Sequence, residues 1–286
     1  MNETSAAVPE PSLAEGSRPG HNGNGQILQV EGLVRSFGGI HAVDGATFAV
    51  GRRSLTALIG PNGAGKTTLF NVVTGFYRGE RGVVLFDGEA MLGRSPDAIA
   101  RRGMVRTFQI TKALARMPVI DNMMLAAPNQ PGEKLRNAIL RWRASQQRER
   151  EVRAEALDLL ELFNLQDLAD EYAGTLSGGQ RKLLELARAL MTRPRMLLLD
   201  EPMAGINPTL GRHLLDHIHE LRDEHDLTFL FIEHDMDVVM EHADRVIVMA
   251  DGRVIAEGPP EEMRSDQRVI DAYLGPGAPA ADGDSG

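Results

Sequence analysis

Short apolar runs punctuate the chain at intervals that suit an alternating fold. Runs of this kind cover Ile27 to Val30, Ala46 to Val50, Leu55 to Ile59, Val83 to Phe86, Met196 to Leu199, Thr228 to Ile232 and Val246 to Met249. Their length and branched or leucine-rich content predict strands. Met196 to Leu199 is continuously apolar and ends in two acids, which suits a central strand covered on both faces. Between the runs lie helical patterns: Thr67 to Thr74 after a glycine-rich turn, a long charged Ala/Leu-rich stretch from Glu133 to Phe163, Gln180 to Met191 after two glycines, and Met236 to His242. Strands alternating with helices predict an α/β fold with a mainly parallel sheet. The 133–163 stretch sits outside that alternation and reads as part of an inserted helical subdomain.

The ends differ from the rest. Residues 1–25 and the stretch from Gly275 are rich in Pro, Gly, Ser and Asn or Ala. They have too little apolar surface to offset the entropy of ordering and read as flexible tails. The first residues lack a basic segment followed by an apolar one, so no secretory signal is expected. No apolar run reaches the length of a membrane span, so any membrane role must come through a partner. No internal repeat is visible. The net charge of −9 weighs against bulk nucleic-acid binding, and the absence of cysteine excludes disulfides and thiolate chemistry.

Three motifs carry chemistry. Gly60-Pro61-Asn62-Gly63-Ala64-Gly65-Lys66-Thr67-Thr68 follows a predicted strand and opens a predicted helix, the setting of a phosphate loop. Its backbone N–H groups and helix start suit a polyphosphate. Lys66 suits the β- and γ-phosphates, and the Thr67 hydroxyl suits Mg2+. Met196-Leu197-Leu198-Leu199-Asp200-Glu201-Pro202 places adjacent acids at a buried strand end. Asp200 suits a Mg2+ role, and Glu201 a general base acting on water. Ser177-Gly178-Gly179-Gln180 presents a helix N-cap followed by glycines, a second start able to meet an anion.

Together and in this order, the phosphate loop, Leu176-Ser177-Gly178-Gly179-Gln180 and Leu198-Leu199-Asp200-Glu201-Pro202 resemble the ATP-binding cassette family over 26–274. The resemblance implies a P-loop NTPase (RecA-like) core at 26–109 and 190–274, an antiparallel β subdomain, and an inserted α-helical subdomain at 110–189. It implies ATP and Mg2+ as ligands and an ATPase activity coupled to transport. It also implies adenine stacking on Phe37, a Q-loop role for Gln109 near Mg2+ or the attacking water, and a switch role for His234 on the γ-phosphate. Asn207 stands where many members carry Asp, which puts an Asp-specific role for that loop in doubt. The resemblance further implies a head-to-tail dimer in which Ser177, Gly178, Gly179 and Gln180 of a second ATP-binding subunit close each site.

Within the family the chain is most similar to the ATP-binding subunits of branched-chain amino-acid importers, through SFGGIHAVDGATF, RTFQITKAL, IEHDMDVVM and VIDAYLG. That branch implies two transmembrane permease subunits, a periplasmic substrate-binding protein acting indirectly, preference for a heterodimer, and a peripheral place on the cytoplasmic face of the inner membrane. Urea or short-amide importers, the lipopolysaccharide exporter, and soluble cassette ATPases outside transport are the alternatives. Met117, Val119, Ile120, Met123, Met124 and Leu125 form an apolar group suited either to permease docking or to the core of the helical unit. Leu140 and Trp142 carry the same ambiguity. The run Arg148 to Glu151 reads as a solvated helix face.

Overall fold

The computed structural model describes residues 25–107, 114–128 and 142–274. Gln109, Leu140, the first part of the expected 133–163 helix, and the stretches read as tails lie outside them, apart from Gly25. The chain opens with a hairpin of β1 (Gln26–Phe37) and β2 (Ile40–Gly51). Then follow β3 (Leu55–Ile59), α1 (Lys66–Val73), β4 (Arg81–Phe86), β5 (Glu89–Ala90), α2 (Pro96–Ala100) and β6 (Met104–Arg106). Helices α3 (Val119–Ala126), α4 (Trp142–Leu162) and α5 (Gly178–Leu190) come next. The chain returns through β7 (Met196–Asp200), α6 (Pro208–Glu224), β8 (Thr228–Ile232), α7 (Met236–His242) and β9 (Arg245–Ala250). It closes with β10 (Arg253–Gly258), α8 (Pro260–Ser265) and α9 (Gln267–Leu274).

The strands form two sheets. A six-stranded sheet has the order β10-β9-β3-β8-β7-β6, parallel except for β10, and an antiparallel four-stranded sheet has the order β2-β1-β4-β5. Every residue of β3 and β8 is buried, as the continuous apolar runs require of central strands.

Successive side chains in a strand point to opposite faces, and this splits the core in two. Leu55, Ala57, Ile59, Leu197 and Leu199 join the cluster that takes in α3, α4, α5 and α6. Leu58, Met196, Leu198 and Leu230 face the other way, onto α1 and the antiparallel sheet. Helix α1 supplies Leu69, Phe70, Val72 and Val73 to that second layer. The parallel strands β3, β7 and β8 end on one edge, and the predicted chemical motifs follow those ends.

The Met-rich group divides. Val119, Ile120 and Met123 are core residues, Met117 and Met124 are half-buried, and Leu125 is exposed. Most of the group therefore packs α3 rather than forming an open surface. Arg148, Glu149, Arg150 and Glu151 lie on α4 and are exposed, except for the half-buried Arg148.

Candidate active site

Gly60 through Gly65 link the buried end of β3 to the start of α1. A Cβ on Gly60 would lie 2.0 Å from the Met249 carbonyl oxygen, and one on Gly65 would lie 2.1 Å from that of Ala42. Their φ angles of +147° and +98° add a conformation that side chains resist. These two glycines are needed for the loop to pass between neighbouring backbones. Pro61, Gly65, Lys66 and Thr68 are half-buried, Ala64 is buried, and Asn62, Gly63 and Thr67 are exposed at the loop's open side.

The Lys66 ammonium donates to the carbonyl oxygens of Gly60 at 2.6 Å and Pro61 at 3.0 Å. Burial holds its pKa below the usual lysine range, while the charges of Glu201 and Asp200 pull it back up. The structure thus gathers the lysine of one motif and both acids of another into one electrostatic unit.

Asp200 ends β7, and one of its carboxylate oxygens accepts from Arg106, which lies at the end of β6 beside it. The same guanidinium donates to Asn71 Oδ1 of α1 at 2.7 Å and sits 5.6 Å from the centre of the Phe70 ring. Sequence reasoning missed Arg106. Its signal was weak, because a single arginine three residues before Gln109 gains its role only when β6 and β7 pair. Glu201 is exposed, its N–H donates to the Ile232 carbonyl, and its φ of +48° is uncommon for a side-chain-bearing residue. His234, two residues past β8, is exposed on the same edge.

Among the described residues no group of three or more His, Cys, Asp or Glu could hold a metal ion unaided. The donor set fits Mg2+ nonetheless. Thr67 offers a hydroxyl and Asp200 a carboxylate, and Mg2+ is commonly held by one or two protein oxygens together with substrate phosphates and water.

Phe37, at the end of β1, is 41% exposed. Tyr77 meets it edge-on at 5.3 Å, and the Arg35 guanidinium lies 4.5 Å from its centre. Neither partner was singled out from the sequence. Tyr273, on the last turn of α9, was missed as well: burial pushes its hydroxyl pKa up, and the nearby Gly60 backbone pulls it back. Gly60, the first residue of the phosphate loop, is thus bonded by Lys66 at its carbonyl and has Tyr273 nearby.

Ser177 caps α5 in a reciprocal box. Its Oγ accepts from the Gln180 N–H at 3.2 Å, and its own N–H donates to Gln180 Oε1 at 2.9 Å. Ser177 and Gly178 are exposed, while Gly179 is buried against α6, where an added Cβ would come 1.8 Å from Leu210 Cδ2. Asn207 caps α6 through a 2.9 Å bond from the Leu210 N–H. Asn and Asp cap comparably, so the departure noted in the sequence keeps the helix start intact.

Lys182 of α5 donates to the carbonyls of Glu201 at 2.8 Å and Pro202 at 2.9 Å, tying the Ser177 helix to the chain leaving β7. Between them lies a cavity of about 430 Å3 lined by residues that include Arg106, Lys182, Glu185, Leu199, Asp200 and Glu201. Burial pushes the Glu185 carboxyl up to about 7 against the opposing pull of Arg188 and Lys182.

Residues 43–204 match the family described as ABC transporter, and residues 253–275 match one described as branched-chain amino acid ATP-binding cassette transporter. The high-affinity branched-chain amino acid transport ATP-binding protein BraF of Pseudomonas aeruginosa is 43% identical over 249 residues, 87% of this chain and 98% of that protein. A probable branched-chain amino acid transport ATP-binding protein LivG of Archaeoglobus fulgidus is 41% identical over 251 residues, 87% of this chain and 96% of that protein. The crystal structure of a nucleotide-free ATP-binding cassette from an ABC transporter superposes with a TM-score of 0.77 at 39% identity, covering 87% of this chain and 99% of that one. With the phosphate loop, the paired acids and the capped glycine helix start set on a P-loop NTPase fold, the chain belongs to the ABC transporter family and is one of its ATP-binding cassettes.

Proposed function

We propose that the chain is the ATP-hydrolysing subunit of an importer for branched-chain amino acids. The observation that carries this reading is the match of 253–275 to the branched-chain transporter family, joined to 43% identity across nearly the whole length of BraF. No helix among the described residues is long and apolar enough to cross a membrane. Transport on this reading requires two permease subunits, with a periplasmic binding protein delivering substrate to them. The chain sits on the cytoplasmic face through those permeases, and the helical unit at 110–189 meets them. Nucleic acid has no part in the reading.

The site supports a specific division of labour. Phe37 stacks the adenine, with Arg35 and Tyr77 fixing the ring. The amides of Gly60 to Thr68 and the start of α1 hold the phosphates. The Lys66 ammonium moves from the Gly60 and Pro61 carbonyls to the β- and γ-phosphate oxygens. Thr67, Asp200 and Gln109 would hold Mg2+, which neutralises charge on the phosphates when bound. Glu201 accepts a proton from water as that water attacks the γ-phosphorus and the bond to the β–γ bridging oxygen breaks. His234 hydrogen-bonds the γ-phosphate, and Arg106 keeps Asp200 in place.

Among the described residues given a role above, none is an arginine finger for the chain's own γ-phosphate. Ser177 and Gly178 are exposed at a helix start, with Gly179 and Gln180 just behind them, the placement expected of groups that serve a partner's nucleotide. A head-to-tail dimer, preferably with a different ATP-binding subunit, thus closes two sites. ATP holds the pair together, and loss of the γ-phosphate releases it. Purification from membranes should recover the chain with two hydrophobic permeases and an ATPase activity that leucine-loaded binding protein stimulates. Recovery free of membrane subunits, or stimulation by urea and not by leucine, would overturn the importer reading.

A further inference from the structure

Glu233 is the first residue beyond β8, and only 1% of its side chain is exposed. A buried carboxylate is costly unless it is bonded, and a side chain at a strand exit can usually reach water. This one turns inward. Its Oε1 accepts from the Met203 N–H at 2.9 Å, and its Oε2 accepts from the His234 N–H at 3.3 Å. The same Oε2 lies 3.8 Å from His234 Nδ1.

The two amides belong to different loops. Met203 lies two residues after Glu201, in the segment that runs to the Asn207 cap of α6. His234 begins the segment that runs to the Asp235 cap of α7. The Glu201 N–H already donates to the Ile232 carbonyl at 3.0 Å, so the two chains leave the sheet side by side. The charges around Glu233 are Lys182, whose ammonium also grips the Glu201 and Pro202 carbonyls, and the opposing Glu201.

We propose that Glu233 is a positioning residue that locks the loop after the general base to the loop carrying the switch histidine, so that the two loops move as one. The inference rests on the roles given above to Glu201 and His234. A shift of His234 on meeting the γ-phosphate would be passed through the carboxylate to the Met203 amide, two residues from Glu201. Burial pushes the Glu233 carboxyl up, and the Met203 and His234 N–H groups pull it back.

The test uses Glu233→Gln and Glu233→Asp in the full-length chain, with the subunits that co-purify with it. The Gln carboxamide has one oxygen and turns an NH2 toward the other N–H, so it loses either the link to Met203 or the bond that fixes the adjoining His234 amide. Asp keeps the carboxyl group but is a methylene too short to span both amides. Each variant should lower kcat at least tenfold per folded molecule and leave the KM for ATP within twofold. A purely structural role would reduce the folded fraction and leave kcat per folded molecule at the parental value, which would overturn the proposal.

A second measurement keeps the proposal testable if neither variant folds. Amide exchange across 201–207 should slow on binding a non-hydrolysable ATP analogue in the parent and should not respond in His234→Ala. Equal slowing in both overturns the link. His234→Ala with parental kcat would instead remove the switch role itself, whereas an impaired His234→Ala beside parental Glu233 variants would remove only Glu233.

Discussion

Ser177 has two separable tasks on this account, and one pair of substitutions separates them. Within its own chain it caps α5, accepting from Gln180 N–H at 3.2 Å. Across the dimer it faces the partner's γ-phosphate. Ser177→Ala removes both. Losing the cap costs about 1 kcal/mol, which for a domain of this size lowers Tm by roughly 2–4 °C. Ser177→Asp restores the cap, because Asp serves at that position about as well as Ser. It also sets a carboxylate against the phosphate. At ~4 Å and an effective dielectric constant near 20 the added repulsion is about 4 kcal/mol, close to a thousandfold in the ATP-driven association. Thermal melts, ATP binding by the dilute chain and steady-state hydrolysis are the three readouts. Ser177→Asp should melt with the parent, bind ATP as a monomer like the parent and show almost no turnover. Parental turnover in Ser177→Asp would show that Ser177 does not face a phosphate. A matching loss of monomer ATP binding would place it in the site of its own chain, and the head-to-tail argument would fail.

Three further outcomes are expected. Glu201→Gln should slow hydrolysis at least a hundredfold and lengthen the life of the ATP-bound dimer, followed by single-turnover kinetics and size-exclusion chromatography; normal turnover would remove the general-base role. Tyr273→Phe keeps the ring and deletes the hydroxyl near Gly60, so the Kd for ATP should rise by up to about threefold with kcat unchanged, the low end of a single hydrogen bond's contribution; calorimetry reads it, and an unchanged Kd would show that α9 does not steady the phosphate loop. Glu185, with its carboxyl pushed up to about 7 from a usual 4.5, binds its proton more tightly in the folded chain. Its contribution is neutral below pH 4.5, becomes destabilising as pH rises to 7, and then levels at up to ~3 kcal/mol. The stability advantage of Glu185→Gln over the parent should therefore grow between pH 4.5 and 7 in denaturant titrations, and a pH-independent difference would contradict the burial argument.

The central strands were legible in the sequence because β3, β7 and β8 are buried on both faces and must be apolar throughout. The loops after them were legible because phosphate chemistry demands glycines, a lysine and paired acids at fixed spacing. Helix α6 was missed although its signals are present: Asn207 and Pro208 begin it, and Leu210, Leu214, Ile218 and Leu221 recur at helical spacing. Strands β6 and β10 are short or half-buried, and their identity depends on pairing with β7 and β9. The Met-rich segment could not be apportioned from composition, since packing onto α4 and α5 decides which side Met123 and Leu125 face. Arg106, Glu233 and Tyr273 escaped for the same reason. Each meets a residue far away in sequence, Asp200, Met203 and Gly60 respectively, and only folding brings them together.

The central claim is ATP-driven import of branched-chain amino acids through subunits outside this chain. Its most direct test is uptake of labelled leucine into proteoliposomes that hold the chain with its co-purified permeases, with binding protein outside and ATP inside. Leucine should accumulate against its gradient with the parent chain and not with Glu201→Gln or with ADP. Accumulation that is the same with Glu201→Gln, or ATP hydrolysis without any leucine uptake, would contradict the account.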